Sequence, residues 1–267
     1  MKNKSLVVLS DTHCGHRAGL TPPSYTDKNG ETRELWNPYS PYFKQQRKMW
    51  EWFVKNLPKK IDICVLNGDA IEGKGYRSGG TELIMSDRNT QARICNEILK
   101  RVKAKEYYIV YGTPYHVGQD EDFEENIGRD INVVKYSSHL FLQVNNTTFD
   151  IKHKIGAAGL PHTRYNSIGK AQLWNSMWAE RSGQKKADIL IRSHVHYFKF
   201  AGDSQGLGII TPCLKGFGDK YGERQCEGLI DIGFLSFRIE KKEYDWSYNI
   251  MEYDLSENAN IITTRLK

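Results

Sequence analysis

The apolar run Leu6 to Leu9 stops at Ser10 and delivers Asp11-Thr12-His13, and this junction limits what the chain can be. Residues two apart on a strand project to the same side. If Leu6 to Ser10 is a buried strand, Asp11 and His13 leave its carboxyl end together. A carboxylate oxygen and an imidazole nitrogen so paired suit zinc, manganese or iron. The same residues also fit an ordinary strand end whose Asp opens a turn, so the pair needs partners. Cys14 alternates to the other face and is not expected among them.

A chain of 267 residues fits one large α/β domain or a domain with an appendage. No apolar stretch approaches the ~20 residues that a membrane span requires, and the amino terminus enters a strand almost at once. The expectation is a cytoplasmic protein with no membrane partner. Cys14, Cys64, Cys95, Cys213 and Cys226 lack Cys-x-x-Cys spacing and read as reduced thiols rather than a disulfide framework or zinc ribbon. The net charge of 38 − 32 = +6 is unevenly spread. Between Ile151 and Gly202 nine basic residues face only Glu180 and Asp188, whereas Gln119 to Asp130 holds six carboxylates and one arginine. Such asymmetry draws a polyanion to one face, although a solvated helix face explains it equally well.

The chain alternates strand and helix patterns. Gly15 to Ser40 reads as a long ordered loop of the kind that usually serves function. Tyr42 to Asn56 has the three-and-four spacing of an amphipathic helix before Pro58. Ile61 to Leu66 forms a second strand running into Asn67-Gly68-Asp69, where a glycine permits a sharp turn. Gly73 to Gly80 (GKGYRSGG) is a glycine-rich loop without the Gly-Lys-Ser/Thr ending of a phosphate loop. Ser86 to Lys103 is a helix, and Tyr107 to Tyr111 a strand ending at Gly112-Thr113-Pro114-Tyr115-His116. The acidic segment to Asp130 is expected to be helical. Val133 to Val144 and Thr147 to His153 read as a hairpin turning at Asn145-Asn146. Arg164 to Arg181 is a helix, and Ala187 to Ile191 a strand ending in Arg192-Ser193-His194-Val195-His196. Gly208 to Pro212, Leu229 to Ile239 and Tyr244 to Tyr253 add strands. With no repeat or linker, residues 1–267 are expected to form a single domain with a β-rich carboxyl-terminal extension from about residue 217.

Apolar strands alternating with helices build a sheet that carries functional groups at one edge. Asp11, His13, Asp69, His153, His194 and His196 would all stand near strand ends, offering two carboxylates and four imidazoles. Such a set can hold two divalent cations with a carboxylate between them. Any one of these histidines taken singly is more simply a satisfied surface or core residue. Their joint placement is what that reading explains poorly.

These residues resemble the calcineurin-like metallophosphoesterases, with affinity to the DNA-repair-exonuclease-like or phage-type branches. That family's motifs run D-x-H, G-D, G-N-H-D/E, an isolated His and G-H-x-H. Here stand Asp11-Thr12-His13, Gly68-Asp69, an altered Gly112 segment, His153 and Ser193-His194-Val195-His196, covering Leu6 to about Gly216. The resemblance implies an α/β fold, a β-sandwich of two mixed sheets flanked by helices with the active site at strand carboxyl ends. It implies that Asp11, His13 and His196 serve one metal, that Asp69 bridges, and that His153 and His194 serve the other. Where the family has Asn-His the chain has Thr113-Pro114-Tyr115-His116. Thr113 is therefore assigned to metal contact and His116 to leaving-group protonation. His16 and Arg17 are candidates for orienting the substrate phosphate, with ordinary loop polarity as the competing reading.

The implied activity is hydrolysis of a phosphodiester, in nucleic acid or a nucleotide, by water activated between two divalent transition-metal ions. Imidazole-rich ligation favours Mn2+, with Zn2+, Fe or Ni2+ as alternatives. The competing functions are a phosphomonoesterase acting on a nucleotide or phosphoprotein and an inactive binding scaffold of the same fold.

Overall fold

The computed structural model describes residues 2–118, 122–129, 131–219 and 230–253. Two sheets face one another. In the first, β1 (Lys4–Leu9), β4 (Ile63–Asn67), β5 (Glu106–Val110) and β6 (Val133–Ser137) run parallel. On the other side of β1, β12 (Gly233–Glu240) and β13 (Glu243–Ile250) pair antiparallel. In the second sheet β8 (Thr147–Ile151), β9 (Ile189–Arg192) and β11 (Gly206–Ile210) are parallel. Its antiparallel edges are β7 (Leu140–Val144) and β10 (Lys199–Asp203). A small hairpin of β2 (Ser24–Thr26) and β3 (Thr32–Glu34) lies within the loop after β1.

Alternation along the strands decides the layers. Leu6 and Val8 of β1 point with Ile63, Val65 and Val110 toward Phe149, Ile151, Ile189, Ile191 and Ile209 of the second sheet, a wholly apolar filling. The opposite side chains, Val7, Leu9, Cys64, Leu66 and Ile109, pack under α1 (Phe43–Asn56) through Met49 and Phe53. The same layer includes Ile94, Ile98, Leu99 and Val102 of α2 (Arg88–Val102). On the far side, Ile168 of α4 (Arg164–Ser182) covers Leu190 and Ile210. The result is helix, sheet, sheet, helix, the two-sheet α/β architecture expected from the sequence.

The strands after residue 230 add to the first sheet, with Leu235, Phe237 and Ile239 in the filling between sheets. They are integral to the sandwich rather than an appendage to it. The expected hairpin strand Val133 to Val144 is split: β6 joins the first sheet and β7 the second, separated by Ser138 and His139. In the acidic segment, Phe123–Asn126 forms a short 3-10 helix. Gln119, Asp120, Glu121 and Asp130 of that segment, Leu229 of the expected strand, and Cys226 lie outside the described residues. The other four cysteines are buried free thiols. Among the described residues no helix is long and apolar enough to cross a membrane.

Candidate metal centre

The carboxyl ends of β1, β4, β8 and β9 meet along one edge of the sandwich. Ser10 Oγ lies 2.7 Å from Thr211 Oγ1, Thr211 Oγ1 lies 2.7 Å from Ser193 Oγ, and Asn67 Nδ2 donates to Ser193 Oγ at 2.6 Å. This buried polar chain ties strand ends of both sheets into one floor. Ser193, where the resembled motif has Gly, is one of its links.

Above the floor the expected residues converge. Asp11 Oδ1 is 3.2 Å from His196 Nε2 and 4.0 Å from His13 Nε2, and those two nitrogens are 3.2 Å apart. Asp69 Oδ2 is 2.9 Å from His153 Nε2 and 3.5 Å from His194 Nδ1. His153 Nε2 also lies 3.9 Å from Asp11 Oδ1, so it links the two groups. Each triad, Asp11 with His13 and His196 and Asp69 with His153 and His194, brings its ligand atoms within 4.8 Å of one another.

Hydrogen bonds to the far ring nitrogens aim these imidazoles. His153 Nδ1 donates to Asn67 O at 2.7 Å, His13 Nδ1 to Glu72 Oε2 at 2.7 Å, and His116 Nδ1 to Glu72 O at 2.9 Å. A neutral ring that donates through Nδ1 carries its lone pair on Nε2. In each case Nε2 faces a carboxylate, an arrangement that repels unless a cation lies between. No well-aligned hydrogen bond reaches the buried Asp11 Oδ1 or His153 Nε2, although His196 Nε2 and Asp69 Oδ2 stand 3.2 and 2.9 Å from them, so their lone pairs converge where a cation would satisfy them. In the absence of metal a proton serves. Burial pulls the His153 imidazolium down, yet the charges of Asp69 and Asp11 outweigh it and raise its pKa to about 10. Burial likewise pushes Asp11 up, but His153 and His196 hold it at about 2. Burial, then Lys215, keeps His13 well below the usual imidazole range, as the neutral form that metal ligation needs.

Glycines let the second and third motifs close on the site. A Cβ on Gly68 would sit 2.4 Å from the His153 ring, and one on Gly112 would sit 2.2 Å from the Asp69 nitrogen. Thr113 donates from N to Asp69 Oδ1 at 2.6 Å and from Oγ1 to the same oxygen at 3.1 Å. It thereby fixes the carboxylate, with Oγ1 reaching Oδ2 only at 3.4 Å, the oxygen that faces the histidines. His116, the third residue of the short α3 helix (Pro114–Val117), reaches the cluster, its Nε2 4.0 Å from Asp69 Oδ2 and its ring edge-on to His13 at 4.7 Å.

His16 and Arg17 are placed otherwise than a phosphate-orienting role requires. Arg17 gives Nη2 to Glu82 Oε1 at 2.8 Å, Nε and Nη2 to Gly218 O, and lies over the Tyr42 ring. His16 is 1% exposed, and its Nδ1 accepts from Ala18 N at 3.0 Å. Burial, then Lys215, lowers its pKa to about 3. His16, Glu82 and Asp219 form a further cluster, but Arg17 and Lys215 Nζ, the latter 2.7 Å from Asp219, already balance its acids.

Sequence reasoning missed Glu72 and Glu124. Glu72 orients both His13 and His116 and receives Lys215 at 3.7 Å. Glu124, fully buried, accepts from Ala70 N and Gly112 N at 2.7 Å each and so clamps the Asp69 turn to the Gly112 turn. Glu72 follows the second motif by three residues, a weak signal. Nothing in the acidic segment distinguished Glu124 from its neighbours.

No family model and no curated protein matches the chain. Solved structures with a similar fold include a predicted phosphoesterase of Streptococcus pneumoniae TIGR4. It is 12% identical, with 94% of this chain and 91% of that one covered at a TM-score of 0.42. Vps29 of Entamoeba histolytica complexed with Zn2+ is 11% identical over 92% and 98% at 0.46. An archaeal phosphodiesterase is 10% identical over 92% and 99% at 0.43. Scores this low carry no functional weight, and the chemistry of the site is taken from its own geometry.

Proposed function

We propose that this chain is a calcineurin-like metallophosphoesterase that hydrolyses a phosphodiester, in nucleic acid or a nucleotide, with two divalent transition-metal ions. The observation that carries the reading is the pair of carboxylate–imidazole triads joined through His153, with Asp11 Oδ1 and His153 Nε2 buried between them and lacking a well-aligned hydrogen bond. Asp11, His13 and His196 would hold one ion, His153 and His194 the other, and Asp69 both. The donor set, rich in imidazole, favours manganese over magnesium.

Such ions, when bound, supply Lewis acidity toward phosphoryl oxygens and lower the pKa of water. The chain's own residues do the rest. Thr113 and Glu124 hold Asp69 and its turn so that the carboxylate needs no reorganisation during reaction. Glu72 fixes the tautomers of His13 and His116. His116, with Nδ1 committed to Glu72 O, has Nε2 as the atom from which a proton passes to the leaving oxygen. The basic stretch from Ile151 to Gly202 supports a polyanionic diester over a small monoester. Turnover of a bis-aryl phosphate beside its mono-aryl counterpart, with metal content measured on the same sample, tests the reading. Metal-dependent diester cleavage is expected. A metal-loaded protein that cleaves only the monoester would make it a phosphatase, and one that cleaves neither would make it a scaffold.

A further inference from the structure

The glycine-rich loop after the second motif has no part in the chemistry above, yet it hangs beside His116. Gln91 pins its base: Oε1 accepts from Gly73 N at 2.8 Å, and Nε2 donates to Gly73 O at 2.9 Å and Met85 O at 2.7 Å. Gly73 runs so close that a Cβ there would meet His116 O at 2.3 Å. The loop's tip is hung on the His116 turn, because Arg77 N donates to Tyr115 Oη at 2.6 Å. Within the loop Ser78 N and Gly80 N both return to Gly75 O, which makes it a built turn.

That turn presents a consistent chemistry. Ring contacts run outward from the buried cluster: His13 to His116 at 4.7 Å, His116 to Tyr115 at 4.8 Å, Tyr115 to Tyr76 at 5.9 Å. Tyr76 ends the series 56% exposed, an aromatic face offered to solvent two ring contacts from His116. Cations flank the rings, with Lys74 Nζ 5.8 Å from the Tyr76 centroid and Arg77 5.4 Å from that of Tyr115. Gly73 to Gly80 contains no acid. Exposed rings interleaved with cations suit alternating bases and phosphates, and they reach bases only when the strand is unpaired.

Building on the phosphodiesterase reading, we propose that Lys74, Tyr76, Arg77 and Tyr115 form a subsite for single-stranded nucleic acid. It takes the nucleoside on the leaving side of the scissile phosphate: the base stacks on Tyr76 and the next phosphate lies against Lys74 and Arg77. Its position beside His116 fits that side, since His116 delivers the proton to the departing oxygen.

The test is fluorescence anisotropy on the full manganese-loaded chain. The probes are a phosphorothioate-linked oligothymidylate of about eight residues, an abasic strand of equal length and a duplex of equal length. The base-bearing single strand should bind at least about tenfold tighter than either of the others. Tyr76→Ala should weaken it about 5- to 100-fold and Tyr76→Trp should not, while the abasic strand is indifferent to both. Lys74→Ala and Arg77→Ala should each flatten the dependence of log affinity on log salt by about 0.7. Equal binding by Tyr76→Ala and the parent, or a duplex held as tightly as the single strand, would overturn the proposal. So would the absence of any strand binding. Failure of the diesterase reading shows separately, as absence of bis-aryl phosphate turnover, because the binding measurement needs no cleavage.

Discussion

Among the described residues, eight other than glycine have a positive φ, and they fall into two groups. Lys103, Asn145 and Lys241 lie in turns that demand it. Lys103 closes α2, its N–H reaching back to Leu99 O, and the other two stand in the tight turns of the β7–β8 and β12–β13 hairpins. The remaining five are Asp11 (φ 51), His13 (44), Asp69 (46), His194 (78) and His196 (58), all candidate ligands at the ends of β1, β4 and β9. A left-handed residue that bears a Cβ costs about 1 kcal/mol or more. In turns that cost follows from chain reversal, and glycine would serve better. At the strand ends a glycine would relieve the strain and discard the side chain. The five strained positions are the ones whose side chains the proposed metal site requires, and the apolar sandwich lies directly behind them.

The comparison breaks most visibly at Asp69. Asp69→Asn should abolish turnover and strip metal, as measured by elemental analysis, while the fold persists because Thr113 can still donate to an amide oxygen. If the variant keeps full metal and activity, the strained carboxylate has no special task. His194→Gly sharpens the point: metal-free protein should melt no lower than the parent, having lost a strained residue, yet metal content should fall.

Removing the ions rather than the ligands should have an effect nearly as large. Activity should vanish with a chelator and return more fully with manganese than with magnesium, which prefers oxygen ligands and keeps its waters. Equal rescue by magnesium would count against the imidazole ligands.

His116 belongs to neither strained group, and its expected effect is smaller. His116→Ala should leave metal binding nearly intact and slow a substrate with a poor leaving group by about 10²–10⁴-fold. An aryl oxide of low pKa departs unaided, so its rate should change far less. Equal losses on both substrates, together with loss of metal, would make His116 a ligand, a role its Nε2 within 4.0 Å of Asp69 Oδ2 also permits.

The division between what sequence revealed and what it hid follows the same physics. The convergence of Asp11, His13, Asp69, His153, His194 and His196 was legible because each follows an apolar strand run and the motif spacing survives in sequence, although Asp11 and His13 stand past the end of β1 with left-handed φ and are not aligned by strand alternation. The layers were expected from the family resemblance, and the continuous apolar runs of β1 and β4 fit strands buried on both faces. Glu124 was not, since its importance comes from two backbone N–H groups that only the fold brings to it. The division of Val133 to Val144 between two sheets was hidden because no glycine or proline marks the bend at Ser138 and His139. Arg17 misled because a cation after a metal motif suggests phosphate, whereas its guanidinium is held by Glu82 and Gly218.

The smallest effect should come from a turn. Lys103 occupies φ 56 at the carboxyl end of α2, where helices commonly place glycine in the left-handed conformation. Lys103→Gly removes the Cβ penalty, but it also gives the unfolded chain more freedom to lose, so the net gain should be only about 0.5–1 kcal/mol. In a chain of this size that amounts to a rise of roughly 1–4 °C in the melting midpoint. Metal content and turnover should be unchanged, because the helix end contributes no atom to the cluster. A gain of stability here, set beside a loss of metal in His194→Gly, would show that the same backbone strain is dispensable in one place and functional in the other. If Lys103→Gly instead lowers the midpoint, the left-handed conformation at this helix end carries little strain. The costs inferred for the five site residues would then need the same downward revision.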